Sequence, residues 1–228
     1  MIGFMVEKKV DTEKGAVRLI RELEPGFISR LHMGEGLGIF FHYRYEDAHK
    51  TKEILSALCT GGSRRIACAV SGDSLVGYVT VVPPEEGSKW EAMEESLHEY
   101  AEGMAFPILM ELGSIEISKP WRAMGLARSL LRFMLEDGYF DQKIVFSREL
   151  SWHWDLKASG LSAYEYRNML LKLFEGAGFR YCETDDEEIG YAGENMLMVR
   201  VGPGVPVDVA FVFYRSVCRS EPRGWGWG

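Results

Sequence analysis

The sequence predicts an α/β (α+β) fold, one sheet with helices layered against it. Three observations carry this. Short apolar or β-branched runs recur between stretches of helical periodicity. A strand pattern at 115–117 passes through a tight turn straight into an amphipathic helix. With 228 residues, 46% of them apolar, the chain is long enough to bury one substantial core.

Taken in order, residues 16–23 alternate loosely and read as a first strand. From 46 to 58, Ala48, Ile54, Leu55 and Leu58 share one helical face, and the run TGGS (60–63) stops the helix. Two β-branched runs, 65–70 and 75–82, are joined by SGDS (71–74), a hairpin signal. Pro83 and Pro84 end the second, since proline has no N–H to give a sheet. Residues 87–103 are acidic with a helical pattern and read as a solvated surface helix, inserted or lid-like.

After the strand and helix of 111–134, residues 143–147 read as a strand. Residues 162–175 form a helix whose Tyr164, Tyr166, Met169, Leu170 and Leu173 are expected in the core, and Gly176-Ala-Gly178 breaks it. Two last strands are expected at 179–184 and 195–201. The organisation expected is one domain over 1–205 with an acidic insertion at about 84–105, then a C-terminal extension, 206–228. Its Gly-, Pro- and Arg-rich end, with Trp225 and Trp227, is expected to be disordered.

The bulk numbers exclude several classes. A net charge of −8 argues against a nucleic-acid partner, whose phosphates need a basic face, and suits a protein partner that presents a lysine. The four cysteines (Cys59, Cys68, Cys182, Cys218) are scattered, with no C-x-x-C pair and no histidine cluster. Neither a disulfide framework nor a metal site is expected, and the thiols read as reduced. The N-terminus places its apolar run before its charges, the reverse of a signal peptide, and no stretch has the length of a membrane span. A soluble, cytoplasmic protein is the expectation.

The most informative stretch is ELGSIEISKPWRAMGLA (111–127), which carries an R-x-x-G-x-A turn, Arg122 to Ala127, into the helix. Such a turn offers free backbone N–H groups at a helix N-terminus, where the helix dipole also favours an anion. A pyrophosphate is the natural occupant. The phosphate-loop lysine motif and G-x-G-x-x-G are both absent, which argues against nucleoside triphosphates and NAD.

A strand, the R-x-x-G-x-A turn and a helix, followed downstream by a helix, Gly178-Phe179 and a strand, resemble the GCN5-related N-acetyltransferase (GNAT) superfamily. The resemblance implies a central mixed, mostly antiparallel twisted sheet flanked by helices. It also implies acetyl-CoA as acetyl donor, with its pyrophosphate on Arg122, Ala123, Met124, Gly125, Leu126 and Ala127. Further runs narrow the likeness to one branch, the acetoin-utilisation acetyltransferases (AcuA family): ELGSIEI (111–117), WHWDLK (152–157), YEYR (164–167) and NMLMVRVG (195–202), with VGYVT (76–80) weaker. WHWDLK is the most specific of these. This branch implies a protein lysine acetyltransferase whose target class is the AMP-forming acetyl-CoA synthetase, inactivated by acetylation of its catalytic lysine.

The chemistry is attack of a lysine amine on a thioester. The amine has a pKa near ~10.4 in water and must lose a proton first. Glu111 lies eleven residues before Arg122, the spacing of the catalytic glutamate in histone-type members of the superfamily, and is the expected general base, directly or through a water. The N–H groups of Ile115, Glu116 and Ile117 are expected to hold the pantetheine arm and polarise the thioester carbonyl. Arg128 and Arg132 are candidates for an outlying phosphate. Trp152, His153 and Asp155 are candidates for the acceptor side, as a proton relay or as tunnel wall. The family pattern fails at Phe174, where many members carry a tyrosine acid. Either the thiolate leaves unassisted or Tyr164 or Tyr166 substitutes. Two other readings stay open: acetylation of a small amine, and a non-catalytic acyl-CoA-responsive module that binds the synthetase.

Overall fold

The computed structural model describes residues 5–38, 48–59, 62–136 and 138–217. In chain order its elements are β1 (Val6–Thr12), β2 (Gly15–Arg21), β3 (His32–Met33), α1 (Ala48–Leu58), β4 (Arg65–Ser71), β5 (Ser74–Val82), α2 (Lys89–Leu97), β6 (Leu109–Ile117), α3 (Leu126–Leu135), β7 (Ile144–Glu149), α4 (Leu156–Ser159), α5 (Ala163–Glu175), β8 (Arg180–Cys182), α6 (Glu187–Gly190), β9 (Met196–Val201) and α7 (Val207–Val217). Residues 46, 47, 60 and 61 of the expected first helix and its stop, and the tail from 220 on with Trp225 and Trp227, lie outside the described residues. The chain forms two compact units, one drawn from Met1–Val82 and Leu112–Asp137, the other from Pro83–Glu111 and Gly138–Gly228.

In the first unit the strands run in the order β1-β2-β4-β5-β6. β1 and β2 close a hairpin at Thr12↔Gly15, where Gly15 takes φ +109°. β4 and β5 pair antiparallel across the expected SGDS turn, from Arg65↔Val81 to Ser71↔Ser74. The short β3 lies parallel to β5. Ile20, Phe27, Ile28, Leu55, Ile66, Cys68, Val70 and Tyr78 form a core on one face, with α1 laid over β4. α3 packs against β2, β4 and β5, burying Leu126, Leu130, Leu131, Phe133 and Met134. β1 is not legible in the sequence because its residues, VEKKVDT, are mostly exposed and more than half of them charged, so no apolar face alternates along it.

In the second unit β6 pairs parallel with β7 over Leu109↔Ile144, Met110↔Val145 and Glu111↔Phe146. β7–β9 and β9–β8 are antiparallel. The sheets are thus mixed and mostly antiparallel, with helices on their faces, as the sequence predicts. The acidic stretch is not a solvated helix, because α2 buries Trp90, Glu94 and Leu97. Trp90 stacks on Phe146 at 4.2 Å between centroids. Glu94 accepts the N–H groups of Ile108 (2.8 Å) and Leu109, fixing the start of β6. The sequence pattern misses this because the inward carboxylate reads as solvent-facing. α7 belongs to the same core through Val209, Phe213 and Val217, so residues 207–217 are packed structure.

In α5 the buried positions are Leu170 and Phe174, while Tyr164 (61% exposed) and Met169 face outward, contrary to expectation. A capping box of Ser162 and Glu165 fixes where the helix starts and so which face turns in. Cys59 and Cys68 are free thiols, whereas Cys182 is disulfide-bonded. That corrects the expectation of four reduced thiols, since spacing along the chain does not report tertiary proximity. Cys218 lies outside the described residues.

Glu94→Ala leaves two buried N–H groups without acceptors. We expect a loss of roughly 2–4 kcal/mol in urea unfolding, with Glu94→Gln in between. A loss below ~0.5 kcal/mol would mean that Glu94 does not hold β6.

Candidate active site

The R-x-x-G-x-A turn is built by backbone conformation. Ala123 takes φ +64° and Gly125 φ +75°, and Gly125 is the N-cap residue of α3 without supplying a side-chain cap. Elsewhere Ser88, Asp155, Ser162 and Asp186 each cap the helix that follows them. At α3 the first internal bond is Ser129 N–H to Gly125 C=O, at 3.1 Å. Among the described residues, no acceptor meets the N–H groups of 125–128, whereas that of Met124 closes the turn over Arg122 and Ala123. A Cβ on Gly125 would point into open space. A row of N–H donors at the positive end of a ten-residue helix fits a pyrophosphate. Arg122 turns back to donate from Nε to the carbonyl of Ile117 (3.1 Å), and Arg128 is exposed on the first turn of α3.

Just upstream, Ser118 N–H bonds Val76 C=O of β5 at 2.9 Å, and Gly77 packs close under the carbonyl of Glu116. Strand alternation therefore turns the N–H groups of Ile115 and Ile117 to the edge away from β5. Glu116 directs its own N–H to β5, which narrows the expected pantetheine donors to the two isoleucines. The Glu116 carboxylate is engaged in a local latch, accepting the N–H of Gly38 beside Tyr78.

In the second unit Glu111 is part-buried and paired. Its Oε1 accepts from Arg148 Nε (2.9 Å) and Nη2 (2.8 Å), while Arg148 Nη1 reaches Glu188 at 2.8 Å. Among the described residues, no donor meets Glu111 Oε2. Burial works against the charge on Arg148. Glu111, then Glu188 and Asp186, outweigh it and hold the guanidinium protonated. The parallel register makes the pair, because Glu111 lies opposite Phe146 and Arg148 stands two residues on, on the same face.

Trp152 is exposed on a 3-10 turn (Ser151–His153) and meets Tyr191 edge-on at 6.0 Å. Asp155 caps α4 by accepting from Ala158 N–H at 3.3 Å, a structural duty. His153 sits beside Trp152 at 5.9 Å between rings. Trp154 stacks on Tyr166 at 5.3 Å, and Phe174 is buried against Phe179. Sequence reading missed Arg148, Glu149, Tyr191 and Asn195. Asn195 is buried, accepts from Ser151 N–H (2.8 Å) and donates to Glu188 C=O (3.3 Å). Glu149, at the end of β7, accepts from Ser147 Oγ at 2.6 Å. Desolvation raises its proton affinity, against that bond and one from Trp154. No helix among the described residues is long and apolar enough to cross a membrane.

A strand, a glycine turn, a helix with an open N-terminus and, downstream, a helix closing through Gly178-Phe179 into a strand are the architecture of a GCN5-related N-acetyltransferase. No protein-family profile matches the chain. It is 30% identical over 198 residues to the acetoin utilization protein AcuA of Bacillus licheniformis, covering 87% of each chain. It is 33% identical over 141 residues to AcuA of Bacillus subtilis strain 168, covering 62% of each. A crystal structure of an acetoin utilization protein from Exiguobacterium sibiricum superposes with a TM-score of 0.81 at 27% identity, over 95% of both chains. The chain belongs to the AcuA family of acetoin utilization proteins, and is an N-acetyltransferase.

Glu149 gives a pH-dependent prediction. A carboxyl whose folded pKa is raised binds protons more tightly in the native state. Stability is therefore full below the ordinary carboxylate pKa and declines as pH rises through the folded one. Glu149→Gln, scanned thermally, is expected to gain Tm over the parent at neutral pH and to lose that gain toward pH ~3.5. An advantage independent of pH would reject desolvation as the cause.

Proposed function

We propose that this enzyme moves acetyl from acetyl-CoA to a lysine amine of a protein in the cytoplasm, and that the acceptor is the AMP-forming acetyl-CoA synthetase, which acetylation switches off. The acceptor rests on the family. The observation that carries the chemistry is the state of Glu111, a part-buried carboxylate held by one oxygen on Arg148 with its other oxygen unclaimed among the described residues.

On the coenzyme side, the turn Arg122 to Ala127 takes the pyrophosphate, chiefly through the N–H groups of 125–128, and the N–H groups of Ile115 and Ile117 take the pantetheine arm and the thioester oxygen. These donors are fixed backbone dipoles, so they need no reorganisation as charge develops on that oxygen. On the acceptor side, Glu111 Oε2 accepts the proton that the lysine ammonium must lose, while Arg148 prevents the carboxylate from turning away. Glu111 passes that proton to solvent, and the neutral amine forms the C–N bond. Its nitrogen gives a second proton to the regenerated Glu111 carboxylate, the C–S bond breaks, and the thiolate leaves to be protonated by solvent. Phe174 supplies no acid. A thiol pKa of ~8.5 makes this departure feasible without one.

Incubation with labelled acetyl-CoA and the synthetase tests the proposal directly. Label is expected on a synthetase lysine with loss of synthetase activity, and an unlabelled synthetase rejects this acceptor. Glu111→Gln is expected to lower kcat by about 10²–10⁴ while the Kd for acetyl-CoA stays within about twofold. A fully active variant rejects the assigned base. Gly125→Val, strained at φ +75°, is expected to raise the KM for acetyl-CoA about tenfold with a small change in acceptor KM.

A further inference from the structure

The second unit holds an open cleft lined by Trp152, Glu187, Glu188 and Tyr191. We infer that this cleft receives the side chain of the acceptor lysine as its ammonium, an assignment that rests on the reading of acetyl transfer to an amine.

Four observations carry it. First, Tyr191 is 83% exposed and stands edge-on to Trp152, so two large aromatic surfaces are left in water side by side. Faces of this kind take the methylene stem and the charge of a cation. Second, Glu187 and Glu188, whose side-chain stems line the cleft and whose carboxylates stand at its rim in solvent, belong to the acidic run ETDDEE (183–188). Of the cations nearby, Lys89 pairs with the buried Asp186, and Arg148 is engaged by Glu111 and Glu188. Third, the walls are held in place. Asn195 bonds the N–H of Ser151 and the carbonyl of Glu188, and so ties the turn bearing Trp152 to the helix before Tyr191. The Asp186 cap sets the start of that helix through Ile189 N–H at 3.0 Å. Fourth, the cleft is wired to the proposed base. Glu188 on its wall and Glu111 are the two carboxylates that Arg148 bridges.

The chemistry fits capture followed by release. Carboxylates and aromatic faces favour the charged form of an amine, so the cleft binds the ammonium and leaves deprotonation to the far side of Arg148. Acetylation makes the nitrogen a neutral amide, which loses the attraction to Glu187 and Glu188. Substrate is held and product is not.

Two measurements separate this inference from the reading beneath it. At saturating acetyl-CoA with the synthetase as acceptor, Glu187→Gln and Tyr191→Ala are each expected to raise acceptor KM about tenfold, with a smaller effect on kcat and with acetyl-CoA affinity retained. Glu187→Lys is expected to weaken it further, and added salt to erode the parent's advantage. Acceptor KM within twofold of the parent in all three overturns the cleft while leaving acetyl transfer standing. The second measurement needs no turnover: a short lysine-bearing peptide and its Nε-acetyl counterpart are titrated against tryptophan emission of the full chain, with Trp152→Phe as control. The free lysine peptide is expected to bind at least tenfold more tightly than the acetylated one, with a signal that Trp152→Phe removes. Equal binding of the two peptides overturns the assignment. Preferential lysine binding with no label on the synthetase upholds the cleft and rejects that acceptor.

Discussion

Backbone N–H groups held in fixed geometry must find acceptors, and this chain's site follows from where that demand is met internally and where it is left to a ligand. At the start of β6, Glu94 reaches in from α2 to accept two successive N–H groups. At its far end the chain turns through Ala123 and Gly125, both at positive φ, and starts a helix with no side-chain cap. Between these ends Ile115 and Ile117 present further donors away from β5. One strand thus passes from satisfied to unsatisfied backbone. In the function proposed above, an acyl-CoA, with oxygen acceptors at its pyrophosphate, its amides and its thioester, would supply what the unsatisfied half lacks.

A second dependence is electrostatic. Arg148 fixes one oxygen of Glu111 and one of Glu188, so a single guanidinium sets the orientation of two carboxylates from different elements. Removing it would leave a part-buried carboxylate without its partner, a larger loss than the pair itself is worth. Glu149, on the strand that carries Arg148, shows the opposite case. Among the described residues no cation pairs with it, burial favours its protonated form, and Ser147 supplies a neutral donor instead. Two adjacent residues of β7 therefore serve carboxyl chemistry in different ways, one as a charge anchor and one as a carboxyl pushed toward neutrality.

Much of this was legible in the sequence, and the failures have a common cause. The hairpin of β4 and β5, the strand and helix around the turn, and the helix before Gly178 are marked by local periodicity, glycine and proline, which act within a few residues. Glu111 was found by its spacing from Arg122. Its partner was not, because that contact depends on the parallel register of Glu111 with Phe146 and joins positions 37 residues apart. α2 was misjudged for a related reason: its Glu94 looks solvent-facing until the N–H groups of Ile108 and Leu109 are seen beside it. α5 is placed correctly and Leu170 packs as expected, but Tyr164 and Met169 mimic a core stripe while facing outward, and Phe174 packs in their stead. Asn195 stands in a motif that gives it no role, because a side chain that stitches two segments together leaves no periodic trace.

The buried phenylalanine at 174 then decides which proton transfer matters. Phe174 is fully enclosed and rests edge-on against Phe179, so this position serves packing. In the tetrahedral intermediate the two groups able to leave are an amine, whose conjugate acid has a pKa of ~10.4, and a thiolate, whose conjugate acid has one of ~8.5. Once the nitrogen has lost its extra proton the thiolate is by far the better leaving group, and an acid adds little. While the nitrogen keeps that proton the amine departs instead and the reaction reverses. The proton acceptor, not the donor, commits the intermediate to product, which is consistent with a chain that anchors Glu111 through Arg148 yet spends position 174 on its core.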